Sequence, residues 1–264
     1  MFLKTDHRKY WVEDTGTGDP IFLLHGFTGS TKSFDRLITD LSSSFRLISI
    51  EMPGHGRTGE VGVISMEEFS QDLKQLIEHF SYSKVNLLGY SMGGRAALSF
   101  AMLQPQYVNK LVLESSSPGL ELQQERAARK SADQKLIEML LYQGIETFVE
   151  YWERIPLFDS HKKLPEHDRL ILRDERLRHN VRGLAQSLEG MGTGQQPSWW
   201  QQLSSLKKRV LLITGENDEK FVKINNRMSE LLPICELFVV KGAGHTIHVE
   251  DPGTFNEIVE DFML

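Results

Sequence analysis

The sequence predicts an α/β fold with a mostly parallel sheet, and two observations carry that prediction. Short β-rich runs alternate with helical stretches along most of the chain, which is the pattern of successive βαβ units. Several runs are almost wholly apolar, as in Val85–Leu88 and Val210–Ile213. Parallel strands that are covered on both faces have this composition. The predicted strands are Ile21–His25, Arg46–Glu51, Val85–Tyr90, Lys110–Ser115, Val210–Glu216 and Cys235–Val240.

Between the strands, apolar residues recur at helical spacing, and Met66–Phe80 places them along one face. The alternation stops between about Pro118 and Leu206, where the pattern is helical and no strand pattern is found. We therefore expect residues 1–117 and 207–264 to form the core, and residues 118–206 to form a helical lid. The lid would cover the C-terminal edge of the sheet, where open α/β sheets bind ligands.

The composition excludes several classes of protein. The chain has 264 residues, 40% of them hydrophobic and 25% charged, as in ordinary globular proteins. Its lone Cys235 cannot form an intrachain disulfide, which excludes a scaffold held by disulfides. A net charge of -6 argues against a general nucleic-acid binder. With no run typical of a signal peptide or membrane span, we expect a cytoplasmic protein.

The strongest local motif is a G-x-S-x-G, formed by Gly89-Tyr90-Ser91-Met92-Gly93. It follows a predicted strand and opens a predicted helix, Gly94–Leu103, which is the strand–turn–helix of a nucleophile elbow. Glycines on either side of the serine let strand and helix approach closely. The alternative is a serine that only caps a helix. The context favours Ser91 as a catalytic serine.

A serine hydroxyl becomes reactive only beside a base, which in turn needs a third group to orient it. His245 lies in a loop of small residues after the last predicted strand, and Asp218 lies just past the strand before it. The order Ser91, Asp218, His245 along the chain is that of the α/β-hydrolase fold. We therefore predict a catalytic triad of these three residues.

Other residues could fill the same roles. His248 is an alternative base, and Glu114 and Glu216 are alternative acids, because each lies near the end of a predicted strand or in the histidine loop. The remaining histidines, at positions 7, 25, 55, 79, 161, 167 and 179, are expected at the surface or in loops. No histidine or cysteine cluster has the spacing of a metal site.

The loop His25-Gly26-Phe27-Thr28-Gly29 follows the first predicted strand. In the α/β-hydrolase fold this loop provides one backbone N–H of the oxyanion hole, and the residue after the nucleophile provides the other. The predicted donors are therefore Phe27 and Met92, with a plain glycine-rich turn as the alternative. A dinucleotide-binding fold is excluded because no G-x-G-x-x-G follows the first strand.

These motifs predict the α/β-hydrolase fold: a mostly parallel central sheet flanked by helices, with the lid after Lys110–Ser115, the sixth strand of that fold. The triad is common to the whole fold, whereas three features are specific to fewer of its members. They are Arg95 after the elbow, Ser117-Pro118-Gly119-Leu120 with nearby arginines, and Met191–Pro197. On these runs, and along nearly its whole length, the chain resembles the MenH family, the 2-succinyl-6-hydroxy-2,4-cyclohexadiene-1-carboxylate synthases of menaquinone biosynthesis. It departs from the family at Val181, where a proline is expected.

The resemblance implies a lyase that removes a ring proton from a cyclohexene polycarboxylate and expels pyruvate, with Ser91 as base and no covalent intermediate. It implies no metal or organic cofactor. It implies that substrate carboxylates bind to arginines and that aromatic side chains line the pocket: Arg95, Arg129 and Arg173, with Tyr90 and Trp152. Guanidinium groups suit carboxylates in half-buried pockets.

Two other functions remain open from the sequence. The same triad would serve a carboxylesterase or C–C bond hydrolase, which needs no set of arginines. A binding module on an inactive hydrolase scaffold usually lacks a triad residue, whereas all three are present here. The partner expected is a small-molecule polycarboxylate, with neither nucleic acid nor membrane insertion. The chain is expected to be a monomer or a homodimer.

Overall fold

The computed structural model describes residues 1–264, and an eight-stranded sheet forms its centre. The strands are β1 (Phe2–Lys4), β2 (Lys9–Gly16), β3 (Asp19–Leu24), β4 (Phe45–Ile50), β5 (Val85–Tyr90), β6 (Val108–Glu114), β7 (Arg209–Gly215) and β8 (Cys235–Val240). The helices are α1 (Asp35–Leu41), α2 (Met66–His79), α3 (Met92–Leu103), α4 (Gln123–Trp152), α5 (Glu166–Leu177), α6 (Val181–Met191), α7 (Glu219–Leu231), α8 (Ile247–Glu250) and α9 (Pro252–Met263). Short 3₁₀ helices span Thr31–Phe34, Pro105–Tyr107, Pro156–Lys163 and Trp200–Ser205.

The strand order is β1-β2-β4-β3-β5-β6-β7-β8. Strands β3 to β8 run parallel, and only β1 and β2 are antiparallel to their neighbours. Leu24 of β3 lies opposite Gly89 of β5, and Tyr90 lies opposite Glu114 of β6. The carboxyl ends of the central strands therefore meet at one edge, and the predicted α/β-hydrolase fold is confirmed.

The sequence analysis missed β1 and β2. Strand β2 alternates between buried and exposed residues, but only Tyr10 and Val12 are fully buried. Trp11 lies between them, and this run of three apolar residues shows no period-2 alternation of apolar and polar residues. Strand β1 has three residues, and both strands lie at the margin of the sheet, where one face stays in contact with water.

Alternate residues of each central strand face two separate cores, as the pleat of a strand requires. Phe22 and Leu24 join the larger core, under α2 and α3, while Ile21 and Leu23 join the smaller core, under α1 and α9. This two-sided burial explains why the central strands are apolar throughout.

The segment between β6 and β7 contains α4, α5, α6 and two of the 3₁₀ helices, and no strand. We call residues 118–206 the insertion. The insertion has a small apolar core of its own, to which Leu140, Phe148 and Leu184 belong. Phe27, in the loop after β3, packs against it. Helix α4 is kinked at Gly144, whose backbone is not helical (φ 84°, ψ 177°). The kink separates an arm that carries Arg129 from an arm that carries Trp152.

None of the helices combines the length and the apolar composition that a membrane crossing requires.

Candidate active site

Ser91 stands on a strained turn between β5 and α3, with φ 49° and ψ −106°. Two glycines make this turn possible. A Cβ on Gly93 would lie 2.0 Å from the Leu24 carbonyl oxygen, and one on Gly89 would lie 2.4 Å from the Gly93 carbonyl oxygen. Although Ser91 is the N-cap residue of α3, its side chain accepts no capping hydrogen bond. Its hydroxyl is therefore free to act elsewhere, unlike that of a capping serine.

The structure brings Ser91, His245 and Asp218 together in one hydrogen-bonded line. His245 Nε2 lies 3.0 Å from Ser91 Oγ, and His245 Nδ1 lies 2.6 Å from Asp218 Oδ2. The His245 ring is 1% exposed and Asp218 is 8% exposed. Because the carboxylate can only accept, Nδ1 carries the proton, and Nε2 is left to accept the serine proton.

Each partner comes from the loop after a strand. Asp218 follows β7 and begins α7, where its side chain accepts a hydrogen bond from the Phe221 N–H. His245 follows β8, and Glu250 holds the backbone on both sides of it, accepting from the Gly244 and Thr246 N–H groups. The two side chains thus reach the serine from separate, anchored loops.

The alternative residues are not part of this line. Both carboxylate oxygens of Glu114 lie within 2.9 Å of His248 Nδ1, so these two side chains form a separate buried pair. Glu216 is exposed and accepts from the Gly242 N–H. None of these three side chains forms a hydrogen bond with Ser91, and Glu114 meets it only through its backbone carbonyl, which accepts from the Ser91 N–H at 2.9 Å.

The backbone N–H groups of Phe27 and Met92 donate to no acceptor within the protein. The loop of Phe27 approaches the serine closely, since a Cβ on Gly26 would lie 3.6 Å from Ser91 Cβ. The Gly26 carbonyl belongs to the same peptide unit as the Phe27 N–H. It accepts from His25 Nδ1 at 2.7 Å and from the Gly29 N–H at 3.1 Å. These bonds hold the peptide unit while its N–H remains unpaired, as an oxyanion donor must be before substrate binds.

Arg95 lies one helical turn beyond Ser91 and is buried between the core and the insertion. Its Nη1 donates to the Met191 carbonyl at 2.8 Å and to Gln196 Oε1 at 3.2 Å. Burial, with repulsion from Arg129, lowers the pKa of Arg95 to about 9. Arg129 pairs with Asp133 at 2.7 Å, and burial raises the pKa of that carboxyl. A cluster of two guanidinium groups with one carboxylate leaves positive charge for an anionic ligand.

The third predicted arginine, Arg173, lies on α5 of the insertion. Arg173 forms an ion pair with Glu153 and its side chain is 40% exposed. Arg176, one turn further along α5, is 9% exposed at its side chain and stacks over the Phe158 ring at 5.1 Å. Arg176 pairs with the same Glu153 at 3.3 Å. It also lines a cavity of about 770 Å³ that Phe27 and Tyr90 share, whereas Arg173 does not; Ser91, Arg95 and Arg129 do not line this cavity either.

The sequence analysis missed Arg176, and the pattern of α5 explains why. Leu170 and Ile171 of this helix are exposed while Arg176 is buried, and Leu172 and Leu177 are only half-buried, so an apolar residue here is not a reliable mark of the inner face.

The two predicted pocket aromatics are both buried. Trp152 stacks on Phe148 and meets the Phe27 ring edge-on at 5.4 Å, and its indole N–H has no hydrogen-bond partner. The Tyr90 hydroxyl lies 2.8 Å from Thr246 Oγ1, and burial raises its pKa. An unpaired buried indole donor suits a ligand that brings an acceptor.

Four of the remaining histidines lie deep inside the molecule. His25 and His55 occupy loops as expected, but these two and His161 and His179 are at most 7% exposed. Burial lowers the pKa of His25 and His161 to about 3 and that of His179 to about 4. The sequence contains no pattern that separates these buried histidines from exposed ones such as His167.

Comparisons with known proteins place this geometry in a family. A family model described as the alpha/beta hydrolase fold matches residues 19–252. A protein of Bacillus subtilis (strain 168), named "Putative 2-succinyl-6-hydroxy-2,4-cyclohexadiene-1-carboxylate synthase", is 45% identical over 98% of this chain and 96% of its own length. The chain belongs to the MenH family of the α/β-hydrolase fold. The resemblance predicted from the sequence is thus confirmed.

Solved structures agree with membership of the MenH family. The structure of MenH from S. aureus superimposes with a TM-score of 0.92 and 31% identity, covering 98% of each chain. A thermophilic esterase from Thermogutta terrifontis reaches a TM-score of 0.84 at 24% identity, covering 97% of this chain and 93% of its own. The esterase shares the fold.

Proposed function

We propose that the chain eliminates pyruvate from 2-succinyl-5-enolpyruvyl-6-hydroxy-3-cyclohexene-1-carboxylate, giving 2-succinyl-6-hydroxy-2,4-cyclohexadiene-1-carboxylate, as a step of menaquinone biosynthesis. The chain's membership of the MenH family supports this reaction. The observation that carries it is the line from Ser91 through His245 to Asp218, with the buried Arg95 one helical turn away.

In the proposed mechanism His245, oriented by Asp218, accepts the Ser91 proton, and Ser91 takes a proton from the ring carbon. The C–H bond breaks, a ring double bond forms, and the C–O bond to the enolpyruvyl group breaks. The leaving enolate takes a proton and becomes pyruvate. The Phe27 and Met92 N–H groups would stabilise negative charge that develops on a substrate oxygen. The proposed chemistry uses no metal and no organic cofactor.

Substrate carboxylates would bind to Arg95 and Arg129. Arg176 is a better third candidate than Arg173 because it is buried and lines the cavity of Phe27 and Tyr90. Tyr90 and Trp152 would line the pocket. Within this proposal residues 118–206 act as the lid over a core of residues 1–117 and 207–264. We further propose that the enzyme works in the cytoplasm on a small-molecule substrate, as a monomer or homodimer.

The test is pyruvate release from this substrate by the wild type, Ser91→Ala and Arg95→Ala. Arg154→Ala is the matched control, because Arg154 is a 75% exposed arginine of the insertion. We expect release by wild type and control, loss of about 10³-fold or more in Ser91→Ala, and a clear rise in KM in Arg95→Ala.

One alternative is favoured by the shared fold with the esterase. The same Ser91–His245 geometry would allow an acyl-enzyme and attack by water. Absence of pyruvate release, together with Ser91-dependent hydrolysis of a p-nitrophenyl ester, would replace the lyase with a hydrolase. A Ser91-acyl adduct trapped on the polycarboxylate substrate would contradict the base mechanism.

A further inference from the structure

Two histidines hold the backbone of Thr28, the residue after the proposed oxyanion donor Phe27. The Thr28 N–H donates to His55 Nε2 at 3.1 Å, and the Thr28 carbonyl lies 2.9 Å from His179 Nε2. Thr28 has a positive φ of 67°, which is uncommon for a residue other than glycine. Bonds on both its polar backbone groups therefore maintain a conformation that is otherwise disfavoured.

The hydrogen bonds determine the tautomer of each ring. His55 Nδ1 lies 2.9 Å from the Pro53 carbonyl, so it must donate there, and Nε2 accepts from Thr28. His179 Nδ1 accepts from the Gly56 N–H at 3.2 Å, so Nε2 carries the proton that is donated to Thr28. Both rings are buried and neutral, with every nitrogen paired.

The two histidines belong to different parts of the molecule. His55 lies in the turn after β4, within the core, whereas His179 lies in the insertion between α5 and α6. The rings meet edge-on, with centroids 5.2 Å apart. Through His179 the insertion therefore contacts the backbone of the oxyanion loop directly, one residue from Phe27.

We propose that His179 is a positioning residue for the oxyanion hole: its Nε2–H donor holds the Thr28 carbonyl and thereby the direction of the Phe27 N–H. This inference rests on the proposed function, in which that N–H stabilises developing charge. It assigns to the insertion a role in the charge-stabilising step, in addition to covering the site.

Two substitutions separate the two bonds of His179. Gln at this position keeps an N–H donor close to the place of Nε2, whereas Asn keeps an acceptor close to the place of Nδ1 and cannot reach Thr28. We expect His179→Asn to lower kcat for pyruvate release by about 10- to 100-fold with KM within about two-fold. His179→Gln should recover most of that loss. His167→Asn, an exposed histidine of α5, is the control.

A second measurement does not depend on turnover. In the substrate-free protein labelled with ¹⁵N-phenylalanine, the Phe27 amide resonance should move in His179→Asn and stay near its wild-type position in His179→Gln. Thermal unfolding of the same samples identifies any loss of folding.

Three results would overturn the proposal: wild-type kcat in folded His179→Asn, a loss confined to KM, or equal losses of kcat in the Gln and Asn variants. A wild-type protein that releases no pyruvate would instead contradict the proposed function. In that case the His179 series would be measured on p-nitrophenyl ester hydrolysis, which also needs an oxyanion hole.

Discussion

Asp218 is the triad residue whose role can be tested most cleanly, because its Oδ2 contacts the far side of His245 while its Oδ1 accepts from the Phe221 N–H. Asp218→Asn keeps the shape of the side chain but presents an N–H₂ group that favours the other histidine tautomer. We expect kcat for pyruvate release to fall by about 10³- to 10⁴-fold, while substrate binding changes little. Steady-state kinetics would measure both.

Two acids serve as controls for that experiment. Glu216→Gln and Glu114→Gln alter the carboxylates that the sequence left as alternatives, and neither contacts His245 in the structure. An Asp218→Asn variant as active as the wild type, with the loss appearing in Glu114→Gln, would assign the acid to β6 instead.

Single residues also show where sequence reasoning stops. The elbow at Ser91 could be predicted because its turn requires glycines. A Cβ at either flanking glycine would lie only 2.0–2.4 Å from a backbone carbonyl oxygen. Arg176 could not be separated from Arg173, because whether an arginine is buried depends on which face of α5 meets the core. Local sequence does not contain that information when apolar residues of the helix, here Leu170 and Ile171, are themselves exposed.

At the scale of elements, the kink of α4 determines how its two arms reach the site. Gly144 has φ 84° and ψ 177°, a conformation that is essentially restricted to glycine. The added Cβ would meet only the end of the Glu146 side chain, at 3.7 Å. A substitution there therefore tests backbone strain without a steric clash.

We expect Gly144→Ala to lower the free energy of unfolding by about 1–3 kcal/mol, as measured by urea denaturation. Gly253→Ala is the control, because Gly253 lies in the first turn of α9 with open space around it and without a positive φ. An unchanged Gly144→Ala midpoint would mean that α4 can continue as a regular helix.

Most of the strands that the sequence predicted are buried. Strands β3 to β7 were found because both faces are covered and their runs are apolar. Strand β8 was also predicted, with the bounds Cys235–Val240, although most of its residues are not buried. Strands β1 and β2 were missed because their apolar runs are short, as in Tyr10-Trp11-Val12, and are followed by polar residues. The insertion was recognised as helical, but its contacts with the core, through Phe27 and His179, depend on packing between distant segments.

At the scale of the whole molecule, the buried histidines make stability depend on pH. His25, His55, His161 and His179 all have pKa values lowered by burial. Below about pH 6.5 these histidines bind protons in the unfolded chain but stay neutral in the folded chain. The stability that each histidine contributes is therefore fully present above that pH and is lost as the pH falls. Four carboxyls whose pKa values are raised by burial act in the opposite direction: Asp35, Glu51, Asp133 and Glu175.

The histidines dominate between about pH 7.5 and about pH 5.5, because their unfolded pKa of about 6.5 lies inside this range, and we predict a net loss of stability on acidification. Each histidine can contribute up to about 1.4 kcal/mol per pH unit, so unfolding by urea at about pH 7.5 and about pH 5.5 should differ by at least ~2 kcal/mol. The difference in the free energy of unfolding between the two pH values should be smaller in His179→Gln, because this variant has one buried histidine fewer. A protein equally stable or more stable at the lower pH would contradict this reading.

The contacts between insertion and core bear on how far such enzymes can be recombined. An obvious way to alter the substrate specificity of such an enzyme is to replace the helical segment between β6 and β7 with that of a relative. Here the segment brings His179 to the Thr28 carbonyl, Ser160 to the Glu250 carboxylate and Trp152 to the Phe27 ring. A chimera that imports a foreign segment would lose these three contacts unless the new segment carried equivalents, and its turnover would suffer even if its pocket fitted the new substrate.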